Sequence, residues 1–223
     1  MKVKGLILAG GEGKRIGGKK PLRLLWGKPI VFWVLKPYLS QGLEVFISVR
    51  DYSQKEEIKE ALSAENLPWE RIKFVFDEKD CAGKGPLCGL LSGMRACEEK
   101  TYLLVSACDQ PFLSPEIFQP LLKVSQSLDV AAVVYKVGEK LEPFPGIYSS
   151  LLKSHLEEFL RHSPKKSFKA FLGELNDKNL LDFLEYTSKI LKNVNPFFNV
   201  NTLIDLKEAE GCFSLLKELK KGQ

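Results

Sequence analysis

The chain has 223 residues, 44% hydrophobic and 27% charged, with 33 Lys and Arg against 28 Asp and Glu for a formal net charge of +5. That length suits one ordinary α/β domain with a sizeable core, and the balance of residue types excludes a disordered, collagen-like or low-complexity protein. The charge is too dispersed for a nucleic-acid binder, and the longest apolar stretches, Tyr102–Ala107 and Val130–Tyr135, fall far short of the roughly 18 residues of a membrane span, so small phosphorylated partners are expected, with no nucleic acid and no membrane.

Val3–Leu8 is a short apolar run cut off by Gly10 and Gly11, and it reads as a buried strand feeding a glycine-rich loop that lasts to about Lys20. The same glycines stop the run before a secretory signal core of roughly 7 residues is complete, so a cytoplasmic location is expected. Pro29 opens a helix whose apolar face (Ile30, Val31, Trp33, Val34, Leu35) fades near Gly42. Glu44–Val49 reads as a second strand, Gln54–Ala64 as an amphipathic helix and Ile72–Phe76 as a third strand. A loop holding Asp77, Gly83 and Gly85 leads to Pro86 and a helix through Leu87, Leu90, Leu91 and Met94, followed by a strand at Tyr102–Ser106. Ser114-Pro115 looks like a helix cap, and Val130–Tyr135 is the next buried strand. Strands alternating with helices predict a three-layer α/β/α Rossmann-like sandwich with a mostly parallel central sheet.

Beyond Leu141 the rhythm loosens. A Pro-bounded segment, Leu141–Tyr148, precedes helices at Leu151–His162 and Ser167–Leu175, read as a substrate-facing elaboration of the same domain. Thr202-Leu-Ile-Asp205 matches a capping box opening a C-terminal helical region, with Gly211 marking a break in it.

In open parallel sheets ligands gather outside the carboxyl ends of the strands, where the loops Ala9–Lys20, Asp77–Pro86 and Ala107–Pro111 lie. The first combines glycines, which let backbone N–H groups approach an oxyanion, with the cations Lys14, Arg15, Lys19 and Lys20. It reads as a phosphate loop in preference to a solvated basic one. A Walker motif fails, since Leu8 stands where its first glycine belongs and Arg15 where its hydroxyl belongs; a dinucleotide fingerprint fails at Ile16. Asp109, just past a strand, is placed to hold a Mg²⁺ ion bridging phosphate oxygens, with an ordinary turn before Pro111 as the alternative. Asp77 is a second strand-end acid of the same kind.

The other reactive side chains are assigned structural roles. The five cysteines, with no C-x-x-C pair, suggest neither a disulfide framework nor a zinc cluster, and are expected to be mostly small buried hydrophobes; Cys108 has no evident base partner. His155 and His162 are expected to be solvated helix residues, and Trp26, Trp33 and Trp69 core or rim aromatics.

Taken in order, Leu8-Ala-Gly-Gly11 with Arg15 and Lys20, Gly85-Pro-Leu-Cys-Gly89, Ser106-Ala-Cys-Asp-Gln-Pro111, and Asn199-Val-Asn-Thr202 followed by Asp205-Leu206 resemble the molybdenum cofactor guanylyltransferases, within the nucleotide-diphospho-sugar-transferase-like nucleotidyltransferases. The resemblance covers nearly the whole chain. It implies transfer of GMP from GTP to the terminal phosphate of molybdopterin, as Mo-molybdopterin, with Mg²⁺ as cofactor and pyrophosphate released. Leu8, Ala9, Gly10 and Gly11 would then contact the nucleotide, largely through backbone, Lys20 its phosphates, and Asp77 the nucleotide again. Asp109 would bind both nucleotide and Mg²⁺, and Arg15 would stabilise the departing pyrophosphate. Asn199 and Asn201 would belong to the acceptor side, a plain turn into the capped helix being the alternative. On this reading 1–223 is one nucleotidyltransferase domain, 1–135 its nucleotide-binding half and 136–223 its acceptor-side elaboration and C-terminal helices. Molybdenum cofactor insertion proteins or molybdoenzyme chaperones are the implied protein partners. Two departures stand out: Lys19 replaces an acid often found before the loop lysine, and Ser48 and Arg50 occupy the end of the second strand where some relatives carry Asn, so nucleotide contacts there are not carried over. A cytidylyl- or sugar-phosphate nucleotidylyltransferase and a non-catalytic nucleotide-binding regulator are the competing readings.

Overall fold

The computed structural model describes residues 2–11, 13, 17–77, 81, 85–124, 131–187 and 194–221, with side chains as far as 212. Strand β1 (Lys2–Leu8) is followed by a small hairpin, β2 (Leu24–Leu25) and β3 (Lys28–Pro29), and then by α1 (Ile30–Ser40). Next come β4 (Val45–Val49), α2 (Tyr52–Leu62), β5 (Ile72–Phe76), α3 (Pro86–Arg95), β6 (Thr101–Ala107) and α4 (Pro115–Val124). The remainder is β7 (Ala132–Val137), β8 (Lys140–Ser149), α5 (Lys153–His162), α6 (Phe168–Asp177), β9 (Leu181–Glu185) and α7 (Leu203–Lys221).

Seven strands form one sheet in the order β5-β4-β1-β6-β8-β7-β9, in which β8 alone runs antiparallel to its neighbours. The alternation of side chains across β1 builds the layers. Ile7 joins a buried cluster with Val34 and Leu35 of α1, Ile58 of α2 and Phe118 of α4, whereas Leu6 and Leu8 join Leu87 and Leu90 of α3, Phe159 of α5 and Phe171 of α6 on the other face. Helices therefore cover both sides of the sheet, as expected. The indole of Trp26 meets Trp33 edge-on at 5.1 Å and donates to the Glu210 carbonyl at 3.2 Å, so the hairpin packs against α7.

Several sequence expectations are corrected. Leu141–Tyr148 belongs to strand β8, although its prolines argue against a strand. The pairing of β8 with β7 slips between Val133↔Ile147 and Tyr135↔Glu142, so Pro143 and Pro145 fall in the irregular stretch where no ladder N–H is required. β9 is an edge strand that carries Asp182 and Glu185. Helix α7 runs unbroken through Gly211, where nothing lies within 4 Å of the position a Cβ would take. His155 is not solvated: its side chain is 17% exposed, its Nε2 is 2.9 Å from Glu174 Oε1, and its ring faces Phe171, tying α5 to α6. Val130 lies outside the described residues. Among those residues no helix is long and apolar enough to cross a membrane.

Candidate active site

A cavity of about 620 Å³ opens at the carboxyl edge of the sheet. It lies where β4 and β6 flank β1, the point at which the chain stops adding strands on one side and crosses to the other. The ends of β1, β4, β5 and β6 supply its floor, with Phe144 of β8 and the turn before α7 on the far side.

On the side of β4 and β5 the wall is made by close backbone approach. A Cβ on Gly10 would lie 3.0 Å from Asp77 Oδ2, and one on Gly89 would lie 2.5 Å from Ser48 Oγ and 2.9 Å from Leu8 Cδ2. The first turn of α3, begun by Pro86 after Gly85 at φ 78°, thus rests directly on the strand ends. Ser48 Oγ donates to Asp77 Oδ1 at 3.2 Å. Burial pushes the Asp77 carboxyl above its ordinary value, against the opposing pull of the Ser48 hydrogen bond and the nearby Arg50 charge. Ser48 and Arg50, discounted in the sequence because their types depart from relatives, both line the cavity.

The Leu8–Gly11 segment is held by a residue that sequence reasoning missed. Gln54, buried at the start of α2, donates from Nε2 to the Ala9 carbonyl at 2.7 Å and accepts the Arg50 N–H at 2.8 Å. The Ala9 N–H donates to the Ser48 carbonyl at 2.9 Å, and the Cys108 N–H to the Leu8 carbonyl at 3.1 Å. The loop's exit from β1 is therefore pinned from both neighbouring strands.

Lys20 and Asp109 meet in the middle. Lys19 takes a left-handed conformation at φ 48°, which turns the two adjacent lysines apart. Lys19 Nζ lies 3.0 Å from Glu57 Oε1 on the outside, while Lys20 Nζ donates to Asp109 Oδ2 and, at 2.8 Å, to Asn201 Oδ1. The Lys20 and Asp109 side chains are only 15% and 13% exposed. Asp109 Oδ1 is buried and has no hydrogen-bond partner among the described residues. The Asp109 carbonyl accepts the Val200 N–H at 2.9 Å, which brings the distant turn to β6. Within that turn, Asn199 Nδ2 donates to the Phe197 carbonyl at 2.8 Å, and Asp205 Oδ2 accepts the N–H groups of Asn201 and Thr202, each at 2.8 Å. Those bonds, the one from Asn201 foremost, hold the Asp205 carboxyl below its usual range. The expected capping box thus also anchors a cavity residue.

Leu8, Gly10, Gly11, Lys20, Asp77, Asp109, Asn199 and Asn201 all line this one cavity, with Ala9 buried directly behind. Arg15 and Lys14 lie outside the described residues. Cys108 is a buried packing residue whose thiol is pushed up to about 12 by burial and by Asp109, so it offers no thiolate. The expectation for the other cysteines is corrected: Cys81 and Cys88 form a disulfide across a separation of seven residues, Cα to Cα 5.5 Å, just behind the Gly85–Gly89 turn. Cys97, Cys108 and Cys212 are free.

Among the described residues no cluster of three or more His, Cys, Asp or Glu could cage a metal. A single buried carboxylate oxygen facing an open cavity nonetheless fits a Mg²⁺ ion of the kind that takes one or two protein carboxylates and fills its other positions with phosphate oxygens and water.

The segment from residue 5 to residue 178 matches the model of the MobA-like NTP transferase domain. The chain belongs to that family. A probable molybdenum cofactor guanylyltransferase of Methanosarcina acetivorans is 30% identical over 219 residues, covering 92% of this chain and 89% of its own. The molybdenum cofactor guanylyltransferase of Brucella ovis is 27% identical, covering 93% and 91%. The crystal structure of molybdopterin-guanine dinucleotide biosynthesis protein A from Archaeoglobus fulgidus superposes with a TM-score of 0.73 at 27% identity, covering 96% of this chain and 99% of that one. A 4-diphosphocytidyl-2C-methyl-D-erythritol synthase from Anaerococcus prevotii, at 14% identity and TM-score 0.69 over 96% of each chain, shares the fold. This MobA-like chain is accordingly a nucleotidyltransferase, and the family match spans every cavity wall except the turn carrying Asn199 and Asn201.

Proposed function

We propose that the protein is a molybdenum cofactor guanylyltransferase, which transfers GMP from GTP to the terminal phosphate of molybdopterin, as Mo-molybdopterin, and releases pyrophosphate. One observation carries the reading: the Lys20 ammonium and the Oδ1 of Asp109, which has no hydrogen-bond partner among the described residues, converge in one cavity of about 620 Å³.

The nucleoside sits against the β4 and β5 side, where Asp77 offers acceptor oxygens to its N–H and O–H donors and the Gly10 and Gly11 backbone presents N–H groups to the phosphates. Lys20 exchanges its present partners for phosphate oxygens and neutralises them, and Arg15 stabilises the departing pyrophosphate. Asp109 Oδ1 would hold Mg²⁺, which would supply charge neutralisation at the phosphates. Asn199 and Asn201 face the acceptor. The acceptor phosphate is already ionised, so no strong base is needed; the chain's task is to bring two polyanions together in line and spread the charge that develops. That the cavity is lined by no histidine among the described residues, and that Cys108 stays a thiol, accords with this. We place the reaction in the cytoplasm, with the product passing to molybdenum cofactor insertion proteins or molybdoenzyme chaperones.

Pyrophosphate release from GTP, CTP, ATP and UTP, with and without molybdopterin and Mg²⁺, tests the proposal. Release is expected only with GTP, molybdopterin and Mg²⁺ together. Preferential turnover of CTP, or nucleotide binding with no release under any combination, overturns it.

A further inference from the structure

We infer that Phe144 determines acceptor specificity by giving the planar pyrimidinone ring of the acceptor's pterin a surface on which to stack. The inference rests on the guanylyltransferase reading, and it names the side chain that would read the acceptor's organic part as distinct from its phosphate.

Three observations lead to Phe144. The first is its place. Lys20 and Asp109 mark where phosphates gather, at the ends of β1 and β6; Ser48, Asp77 and Gly89 lie on one side of that point, and Phe144, on β8, lies beyond β6 on the other. A ligand whose phosphate reaches the centre from the β8 side brings the rest of itself past Phe144. The second is its chemistry. Phe144 is the one aromatic side chain among the described residues lining the cavity, and it is half-buried, not sealed into the core. An aromatic ring on the wall of an open cavity is matched by a flat heteroaromatic partner, as in the base-stacking platforms of nucleic-acid proteins.

The third is how firmly it is held. The ring packs edge-on against Phe168 with centroids 4.5 Å apart and planes at 70°, and Phe168 is itself buried. The Phe144 carbonyl accepts Gln110 Nε2 at 3.0 Å, while Gln110 Oε1 accepts the Ala107 N–H at 3.3 Å. Gln110, buried beside Asp109, thus couples the platform to the loop that carries the reacting groups. A stacking surface fixed relative to the phosphate site measures the distance between ring and phosphate in the acceptor.

Phe144→Leu keeps apolar bulk against Phe168 and removes the π face, whereas Phe144→Tyr keeps both. For Phe144→Leu the KM for molybdopterin is expected to rise about tenfold, within the range of a lost stacking contact, with the KM for GTP and kcat changed less than about twofold. Phe144→Tyr should stay close to wild type. An unchanged molybdopterin KM in Phe144→Leu, or an equal rise in the GTP KM, overturns the inference while leaving the guanylyltransferase reading intact. A second measurement needs no turnover: fluorescence quenching of an oxidised, phosphate-bearing pterin by wild-type and Phe144→Leu protein of equal thermal stability. Weaker quenching by Phe144→Leu supports the platform even if no GMP transfer is found, and equal quenching refutes it.

Discussion

The two sides of the cavity are built by different means. Toward β4 and β5 the wall is mainly backbone at close range, with Gly10 and Gly89 admitting neighbours that any Cβ would displace, and the Cys81–Cys88 bond behind it. Toward β8 and α7 it is side chains on a turn and an irregular strand, tied to the centre by Val200 N–H to Asp109 O, Asn201 to Lys20, and Gln110 to Phe144. Backbone at van der Waals distance tolerates little change, whereas side chains on a turn can be exchanged singly without disturbing the sheet. The first arrangement suits a part common to many nucleotide users; the second suits a part that differs with the acceptor.

That contrast can be broken at several points. The largest effect is expected at the centre: Asp109→Ala should lower kcat by about two to four orders of magnitude with the fold intact, as loss of a group stabilising transition-state charge does. Near-normal turnover at saturating GTP would remove Asp109 from the metal site. Behind the backbone wall, reducing the Cys81–Cys88 bond should cost on the order of 2 kcal/mol, since the loop it closes is short. Denaturant titration with and without a strong dithiol reductant measures it, alongside the GTP KM, which should rise while the acceptor KM stays put. On the side-chain wall, Asp205→Ala should lower Tm by about 2–4 °C through loss of the cap and raise the acceptor KM in preference to that of GTP. An equal rise in both would mean that the turn does not belong to one side.

Asp77 offers a pH test. Burial raises its carboxyl in the folded state, so the folded chain binds that proton more tightly than the unfolded chain, and stability falls as pH climbs from the ordinary carboxylate range through the raised value. Asp77→Asn keeps an acceptor for Ser48 and removes the titration. Its Tm relative to wild type should therefore improve across that window and then level off, while GTP affinity falls; a flat difference would contradict the assignment. The smallest effect is expected at Lys19, paired outward with Glu57: Lys19→Ala should leave both KM values within about twofold, against a loss of at least tenfold in kcat/KM for Lys20→Ala.

Much of this arrangement is legible in the amino-acid sequence. Short, largely apolar runs at Val3–Leu8 and Tyr102–Ser106 read as buried strands of a covered sheet, and the acids and glycines just after such strands then emerge at one edge. Asp77 and Asp109 followed from position, and Thr202 and Asp205 from cap chemistry. What stayed hidden depends on contacts remote in the chain. Gln54 serves a carbonyl 45 residues away, and nothing in an amphipathic helix marks that glutamine. β8 was masked because proline cost is judged residue by residue, whereas the slip in pairing places Pro143 and Pro145 where no N–H is missed. The disulfide has no short motif. Which of two adjacent lysines faces inward turns on one positive φ angle, invisible in the letters. Gly211 misled in the opposite direction: one exposed glycine lowers helix propensity by about 1 kcal/mol, too little to end a long helix.

The hydrogen bonds that join Lys20, Asp109 and Asn201 draw together three stations spread along almost the entire polypeptide. Because Lys20 stands 89 residues from Asp109 and 181 from Asn201 along the chain, no local segment can form this cradle by itself, and a change that loosens the turn at Asn201 deprives Lys20 of a partner without touching the strand ends.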